Sequence, residues 1–389
     1  MEKRGTIASE FEHWALSIVI YIDVSSAVHA KAGIGRYAES LARALIAHRP
    51  GRFALFYNRV RGTQPPAGLE SVPVRTVRAG YKPWRMAVWL GQLARVGFNR
   101  LLPGVELFHA TEHLLPPLHG VPTVLTVHDM IFELFPEHQK PLNYWYLKAT
   151  MPLYCRRADA IITVSESSKR DILARYGLDP ARVTVIYEAA APGFRPAPRN
   201  MVDEARRRYG LPDRFLIHVG TIEPRKNLTR LVEALQRLRD EGLGIPLVVV
   251  GGKGWLYDSF FQRLGEMRVR DAVQFPGYVP AADLPLLYAA ATAAVMPSVY
   301  EGFGLPVLEA MACGTPVVSS NAPSMPEIGG EAACYFNPHD VEAMASAIRA
   351  VWTDAERRAE MGKQGLERAA EFSWKRAANE TLAVYESIL

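Results

Sequence analysis

The chain has 389 residues, too many for one ordinary domain and suited to two of roughly 150–200 residues, each able to bury its own core. Its 49% hydrophobic and 22% charged residues exclude bulk disorder, and three cysteines without a CxxC spacing exclude a disulfide framework and a zinc knuckle, so a cytoplasmic protein is expected. The formal charge of +5 is uneven, with 23 Lys and Arg against 16 Asp and Glu through residue 190 and 22 against 24 beyond it.

A basic first half suits an anionic partner such as a membrane surface or lipid phosphate, and it also describes an ordinary solvated face. No helix-turn-helix, finger or RNA-binding signature accompanies it, so nucleic acid is not expected. The first apolar run follows Glu10, Glu12 and His13 and ends at Asp23, which makes it too short for a membrane span or a secretory segment. Leu16–Ile22 reads as a buried first strand. The stretch "AVHAKAGIGRYAESLARAL", 27–45, opens a helix directly after it, which is where a G-x-G carries meaning. A third glycine is missing, so dinucleotide binding is a poor competitor. Arg36 is placed either to steer an anion or to sit on a helix surface.

The runs "RFALFYN", "ELFHA", "TVLTVHD", "AIITVS" and "VTVIY" then alternate with helical stretches, the pattern of an open parallel sheet covered on both faces. Within 78–100, Trp84, Met86, Trp89, Leu90 and Leu93 interleave with Arg85, Arg95 and Arg100. That suits a helix lying against anionic lipid, and equally a core helix whose arginines snorkel. His109 and His113 follow one strand end and are candidates to line a ligand site. His128 and Asp129 end the next strand, where ligands of open sheets gather. No HExxH joins these histidines into a zinc site.

Residues 188–200 are proline-rich and aperiodic, and we expect a linker at 191–212 between a domain of 1–190 plus 373–389 and a domain of 213–372. The second half restarts the strand–helix alternation. In "HVGTIEPRKNLTRLVEAL", 218–235, a strand end leads through a loop to an amphipathic helix carrying Leu228, Leu231, Val232 and Leu235. Arg225 and Lys226 stand just before that helix, where a fixed cation pair can neutralise a diphosphate leaving group or simply start a solvated helix. In "SVYEGFGLPVLEAMACGTPVVSS", 298–320, Gly302 and Gly304 bare the backbone, Pro306 opens a helix over 306–313 and Gly314 ends it. A glycine loop before a helix N-terminus suits an anion. Glu309, one turn inside, can accept both hydroxyls of a diol such as a ribose, and Glu301 can hold hydroxyls of a second ring. The plainer reading is that both acids favour the helix dipole.

Taken together, "EGFGLPVLEAMACGTPVV" and "GTIEPRKN", both in the second half, resemble the signatures of the retaining glycosyltransferases of family 4, and the resemblance extends to the first half through "GIG" at 33–35 and His128. It implies an α/β protein of GT-B architecture, two Rossmann-like domains with parallel sheets facing across a cleft, the last helix returning to the first domain. It implies that Glu309 binds the nucleotide ribose, that Glu301 contacts the donor sugar, and that the backbone of Gly302, Phe303, Gly304 and Leu305 meets diphosphate or sugar. Arg225 and Lys226 would hold the diphosphate, His128 would face the donor sugar, and Gly33, Ile34 and Gly35 would form the phosphate-side loop of the first domain. Many members place Arg directly after the glycine of the "HVG" strand end; this chain has Thr221, which shifts the charge onto Arg225 and Lys226. The implied catalytic set is His128, Glu301, Arg225 and Lys226, with no metal and no cofactor beyond the nucleotide-sugar substrate.

The "GTIEPRKN" and "GIGRY" pair looks like bacterial GDP-mannose-dependent mannosyltransferases, with a UDP-glucose or UDP-N-acetylhexosamine enzyme as the alternative and a non-catalytic nucleotide-sugar binder as a further one. An epimerase or phosphorylase would share the architecture but lacks this motif pair or needs a cofactor lysine motif not found here. The expected acceptor is a glycan or lipid-linked glycan, with peripheral contact at an anionic membrane, placing the enzyme at the inner face of the plasma membrane.

Overall fold

The computed structural model describes residues 19–29, 32–277 and 279–389. Short apolar runs such as "FALFYN" and "LVVV" are buried along their whole length, as strands covered on both faces must be. The first sheet holds β1 (Val19–Asp23), β2 (Phe53–Asn58), β3 (Val74–Val77), β4 (Val105–Ala110), β5 (Thr123–Val127), β6 (Ala160–Thr163) and β7 (Val183–Val185). The second holds β8 (Leu216–Val219), β9 (Leu247–Val250), β10 (Val273–Gln274), β11 (Ala293–Met296), β12 (Val317–Ser320) and β13 (Ala333–Phe336). Every pairing is parallel, and the orders β3-β2-β1-β4-β5-β6-β7 and β10-β9-β8-β11-β12-β13 reverse direction once in each sheet. Of the expected first strand, residues 16–18 lie outside the described residues.

Open sheets bind ligands at the carboxyl ends of the strands flanking that reversal, here β1 and β4 in one sheet and β8 and β11 in the other. The helices that shape those ends are α1 (Ala32–His48), α2 (Tyr81–Ala94), α3 (Pro141–Arg157), α4 (Glu166–Tyr176), α5 (Arg199–Tyr209), α6 (Leu228–Asp240), α7 (Leu305–Ala312) and α8 (Trp374–Ile388). The amphipathic pattern of α6 buries Leu228, Leu231, Val232 and Leu235 as its spacing predicts. Helix α7 starts one residue earlier than the proline suggested. Gly304 at φ +114° sets its N-terminus, Pro306 falls in its first turn, and Gly314 at φ +74° stops it.

Part of the expected linker is helical. Residues 188–198 are irregular, but α5 packs beside the 284–290 helix of the second sheet, Arg208 pairing with Asp283 at 3.2 Å. Only Ala205 of α5 is buried, so its sequence showed no apolar stripe to read. Helix α8 lies on α1, with Arg49 paired to Glu386 at 2.6 Å and Trp374 set against Tyr37 at 6.0 Å.

Candidate active site

The β8–α6 loop, the β11–α7 loop, the end of β5 and the start of α1 surround one cleft of about 460 Å³. Gly33, Ile34 and His128 line it from the first sheet's side; Thr221, Arg225, Lys226, Glu301 and residues 302–305 line it from the second's. Gly35 does not. It is turned toward the preceding turn, where a Cβ would meet the Ser26 carbonyl oxygen at 2.8 Å, so its small size serves helix packing.

The cations are held before any ligand arrives. Lys226 Nζ lies 2.6 Å from Glu301 Oε1 and an Arg225 guanidinium nitrogen 2.8 Å from Glu301 Oε2. Arg225 also pairs with Glu223 at 2.5 Å and donates to the Tyr300 carbonyl at 2.8 Å. Burial pushes the Glu301 carboxyl up, but Arg225 and then Lys226 outweigh it and hold the group down at about 2. Two cations and two carboxylates therefore sit in mutual balance, with fixed N–H donors that anionic oxygens can take over. The loop is clamped from below by Asn227, whose left-handed backbone (φ 57°) starts α6 and whose buried side-chain amide donates to the carbonyls of Pro297 at 3.0 Å and Pro338 at 2.7 Å.

Glu309 is 2% exposed and stands behind the cleft wall, covered by Arg36 of the first sheet's side at 2.5 Å, with the Tyr288 hydroxyl at 3.4 Å. Burial raises its carboxyl above the usual range and Arg36 partly offsets that. A ligand hydroxyl reaches this carboxylate only by displacing Arg36. The Phe303 ring packs against Tyr187 and Phe372 and is almost fully buried.

His128 presents its ring nitrogens to acceptors on both sides. Nε2 lies 3.0 Å from the Thr111 carbonyl, and Nδ1 lies 3.5 Å from the buried carboxylate of Glu188. A neutral imidazole can donate from only one nitrogen, so this setting favours the imidazolium. Burial lowers the group's pKa; Glu188, the Thr111 carbonyl and Asp129 together raise it above its ordinary value. Glu188 gave no signal in the sequence, because it lies in the aperiodic linker start.

The two halves meet closely here. A Cβ on Gly302 would come within 2.4 Å of the His128 carbonyl oxygen, so glycine alone permits the approach. Ser165 donates to the Gly302 carbonyl at 2.6 Å, Glu327 accepts from the amides of Glu166 at 2.7 Å and Ser167 at 3.3 Å at the start of α4, and the Trp255 indole donates to the His138 carbonyl. Trp255 lines the cleft and was not singled out in the sequence.

The expectation for His109 is corrected. Its ring is fully buried between the Tyr385 hydroxyl at 2.6 Å and Thr126 Oγ1 at 2.8 Å, with burial depressing its pKa to about 3, so it is a core histidine tying α8 to the first sheet. His113 is half-buried, its ring 6.2 Å from that of His128.

Residues 202–368 match the family model for Glycosyl transferases group 1, and residues 32–190 match that for Glycosyltransferase Family 4. The O-antigen chain mannosyltransferase B of Escherichia coli is 34% identical over 284 residues, covering 72% of this chain and 74% of that protein. The sucrose-phosphate synthase of Thermosynechococcus elongatus superposes with a TM-score of 0.76 at 22% identity over 95% of this chain and 98% of its own. Anabaena HepE in complex with UDP-glucose gives 0.71 at 18% identity over 94% and 99%. At those identities the structural likeness speaks for the fold. With two parallel Rossmann-like sheets facing one cleft, the chain belongs to the group 1, family 4 glycosyltransferases and is a nucleotide-sugar-dependent transferase of GT-B fold.

Proposed function

We propose that this enzyme transfers a hexosyl group from a nucleoside diphosphate sugar to a hydroxyl of a glycan or lipid-linked glycan, with retention at the anomeric carbon and without a metal ion. One observation carries the reading. Arg225 and Lys226, the carboxylates of Glu223 and Glu301 and the bare 302–305 backbone converge at the sheet ends opposite His128. Residues 213–372 then hold the donor, and residues 1–190 with 373–389 present the acceptor.

In this reading the diphosphate oxygens replace Glu301 on the Arg225 and Lys226 donors, and the freed Glu301 carboxylate accepts sugar hydroxyls. The ribose displaces Arg36 from Glu309. Gly33, Ile34 and Thr221 approach the phosphates, while the residue 302–305 backbone meets diphosphate or sugar. The bond from the anomeric carbon to the β-phosphate oxygen breaks with its electron pair on phosphate. That oxygen takes the acceptor hydroxyl proton, and the new bond forms on the same face of the sugar. His128, held by Glu188, fixes the wall against which the sugar lies, and domain closure keeps water from the departing sugar.

Two donors are supported from different directions. A mannosyl donor is supported by the printed activity of the E. coli relative. A uridine donor is supported by the UDP-glucose complex of a protein with the same fold. Thermal melts against GDP, UDP, ADP, GDP-mannose, UDP-glucose and UDP-N-acetylglucosamine separate them. Stabilisation by guanosine ligands alone assigns mannosyl transfer, and by uridine ligands alone a glucosyl-type reaction. No stabilisation by any nucleoside diphosphate overturns the reading, and an inverted product overturns retention.

A further inference from the structure

Helices α2 and α3 lie side by side on one face of the first sheet, where Trp84, Val88, Leu147 and Met151 share a core. At their seam Arg85 lies over the Tyr146 ring at 3.7 Å and donates to Asn143 at 3.1 Å, and Trp89 meets Tyr146 edge-on at 6.0 Å. Their outward side is apolar. Met86, Leu90 and Leu93 recur at spacings of four and three along α2, each more than two-fifths exposed, and α3 adds Leu142 and Trp145, 88% and 64% exposed. Side chains of this size clustered in water mark an interaction surface.

The surrounding charge is mostly basic; of the acids that border α3, Glu133 is paired with Arg175 at 3.4 Å and Glu137 is exposed. Residues 71–105 contain six Lys and Arg, residues 138–158 contain four, and neither stretch contains Asp or Glu. We infer that this face docks on an anionic lipid bilayer, with Met86, Leu90, Leu93, Leu142 and Trp145 entering the boundary between headgroups and acyl chains. Lys82, Arg95, Lys140 and Lys148, all exposed around these side chains, meet the lipid phosphates. A second copy of the chain fits the surface poorly, since a two-fold contact would set like charges against each other. Among the described residues no helix is long and apolar enough to cross a membrane, so the contact is peripheral.

The surface also lies near the cleft. The His138 carbonyl accepts from Trp255 at the cleft wall, and Leu142 follows four residues later, which bounds their Cα separation at about 14 Å. A bilayer holding Leu142 would present a lipid-linked acceptor on that side. The inference does not depend on which sugar is transferred.

Flotation of the full chain with phosphatidylcholine vesicles, with and without phosphatidylglycerol, tests it at low and high salt. The expected result is binding to the anionic vesicles alone, weakened by salt and reduced about tenfold or more in Leu90→Glu/Trp145→Glu, whose stabilisation by donor nucleotide stays that of the wild type. No flotation with anionic vesicles at low salt overturns the inference, as does flotation that ignores both substitutions. A double variant that turns a dimer into a monomer in sedimentation while floating normally would give the surface to a second copy.

Discussion

Replacing Glu301 by Gln preserves shape and removes the charge that Arg225 and Lys226 share. The carboxyl is held down at about 2 against an ordinary 4.5, which corresponds to about 3 kcal/mol of folded-state preference for the carboxylate. Because the folded value is depressed, that stabilisation is fully present above pH 4.5 and is lost as pH falls through about 2. At neutral pH the variant should therefore lose about 3 kcal/mol, in line with breaking a buried pair. For a domain of this size that is roughly 6–12 °C in melting temperature. Pyrophosphate should restore a larger share in the variant than in the wild type, because its oxygens satisfy the same Lys226 and Arg225 donors. Scanning fluorimetry at pH 7 with and without pyrophosphate, beside initial rates of transfer, reads both effects. A variant that melts with the wild type or keeps its turnover would refute the reasoning.

Gly302→Ala places a methyl 2.4 Å from the His128 carbonyl and 2.9 Å from the Asp129 Cβ, so closure should fail; small-angle scattering should show a larger radius of gyration and transfer should be lost, whereas an unchanged radius speaks against it. Glu309→Gln removes a buried carboxylate whose pKa is raised by burial, so the unliganded variant should melt no lower than the wild type, with any gain greatest at neutral pH and gone below about 4.5. Its nucleotide affinity should fall by about 10- to 150-fold through loss of charged hydrogen bonds to the ribose; calorimetry giving equal affinities would remove Glu309 from the site. Glu188→Gln leaves the burial of His128 less opposed, so its imidazole should titrate lower by NMR. The wild-type pair stabilises the fold fully below about 6.5 and loses that contribution as pH rises through the raised His128 value; identical titration in the variant would count against the pairing.

The elements of this site that follow strand ends were legible because chemistry and local pattern coincide there. Arg225 and Lys226 precede an apolar stripe, and Glu301 and Glu309 bracket a glycine loop and a proline. What the sequence could not show is what tertiary folding brings together. Glu188 reaches His128 from an aperiodic segment, Arg36 covers Glu309 from 273 residues away, and Trp255 bonds the His138 carbonyl 117 residues back along the chain. His109 lies within β4, not beyond its end, and one of the two hydroxyls it meets comes from α8, 276 residues on, which makes it a core residue. Helix α5 stayed hidden because its polar surface carries no stripe, and Gly35 resembled a ligand loop because packing and ligand approach both call for glycine.

The most direct test measures nucleoside diphosphate release and product configuration, using the donor that stabilises the wild type best and a glycan acceptor, in the wild type and in Lys226→Met. The account predicts acceptor-dependent release by the wild type, a product with the anomeric configuration of the donor, and a rate lower by roughly 100- to 1,000-fold once this electrostatic donor is gone. Equal rates in the two proteins, or no acceptor-dependent release from any nucleotide sugar, would contradict it.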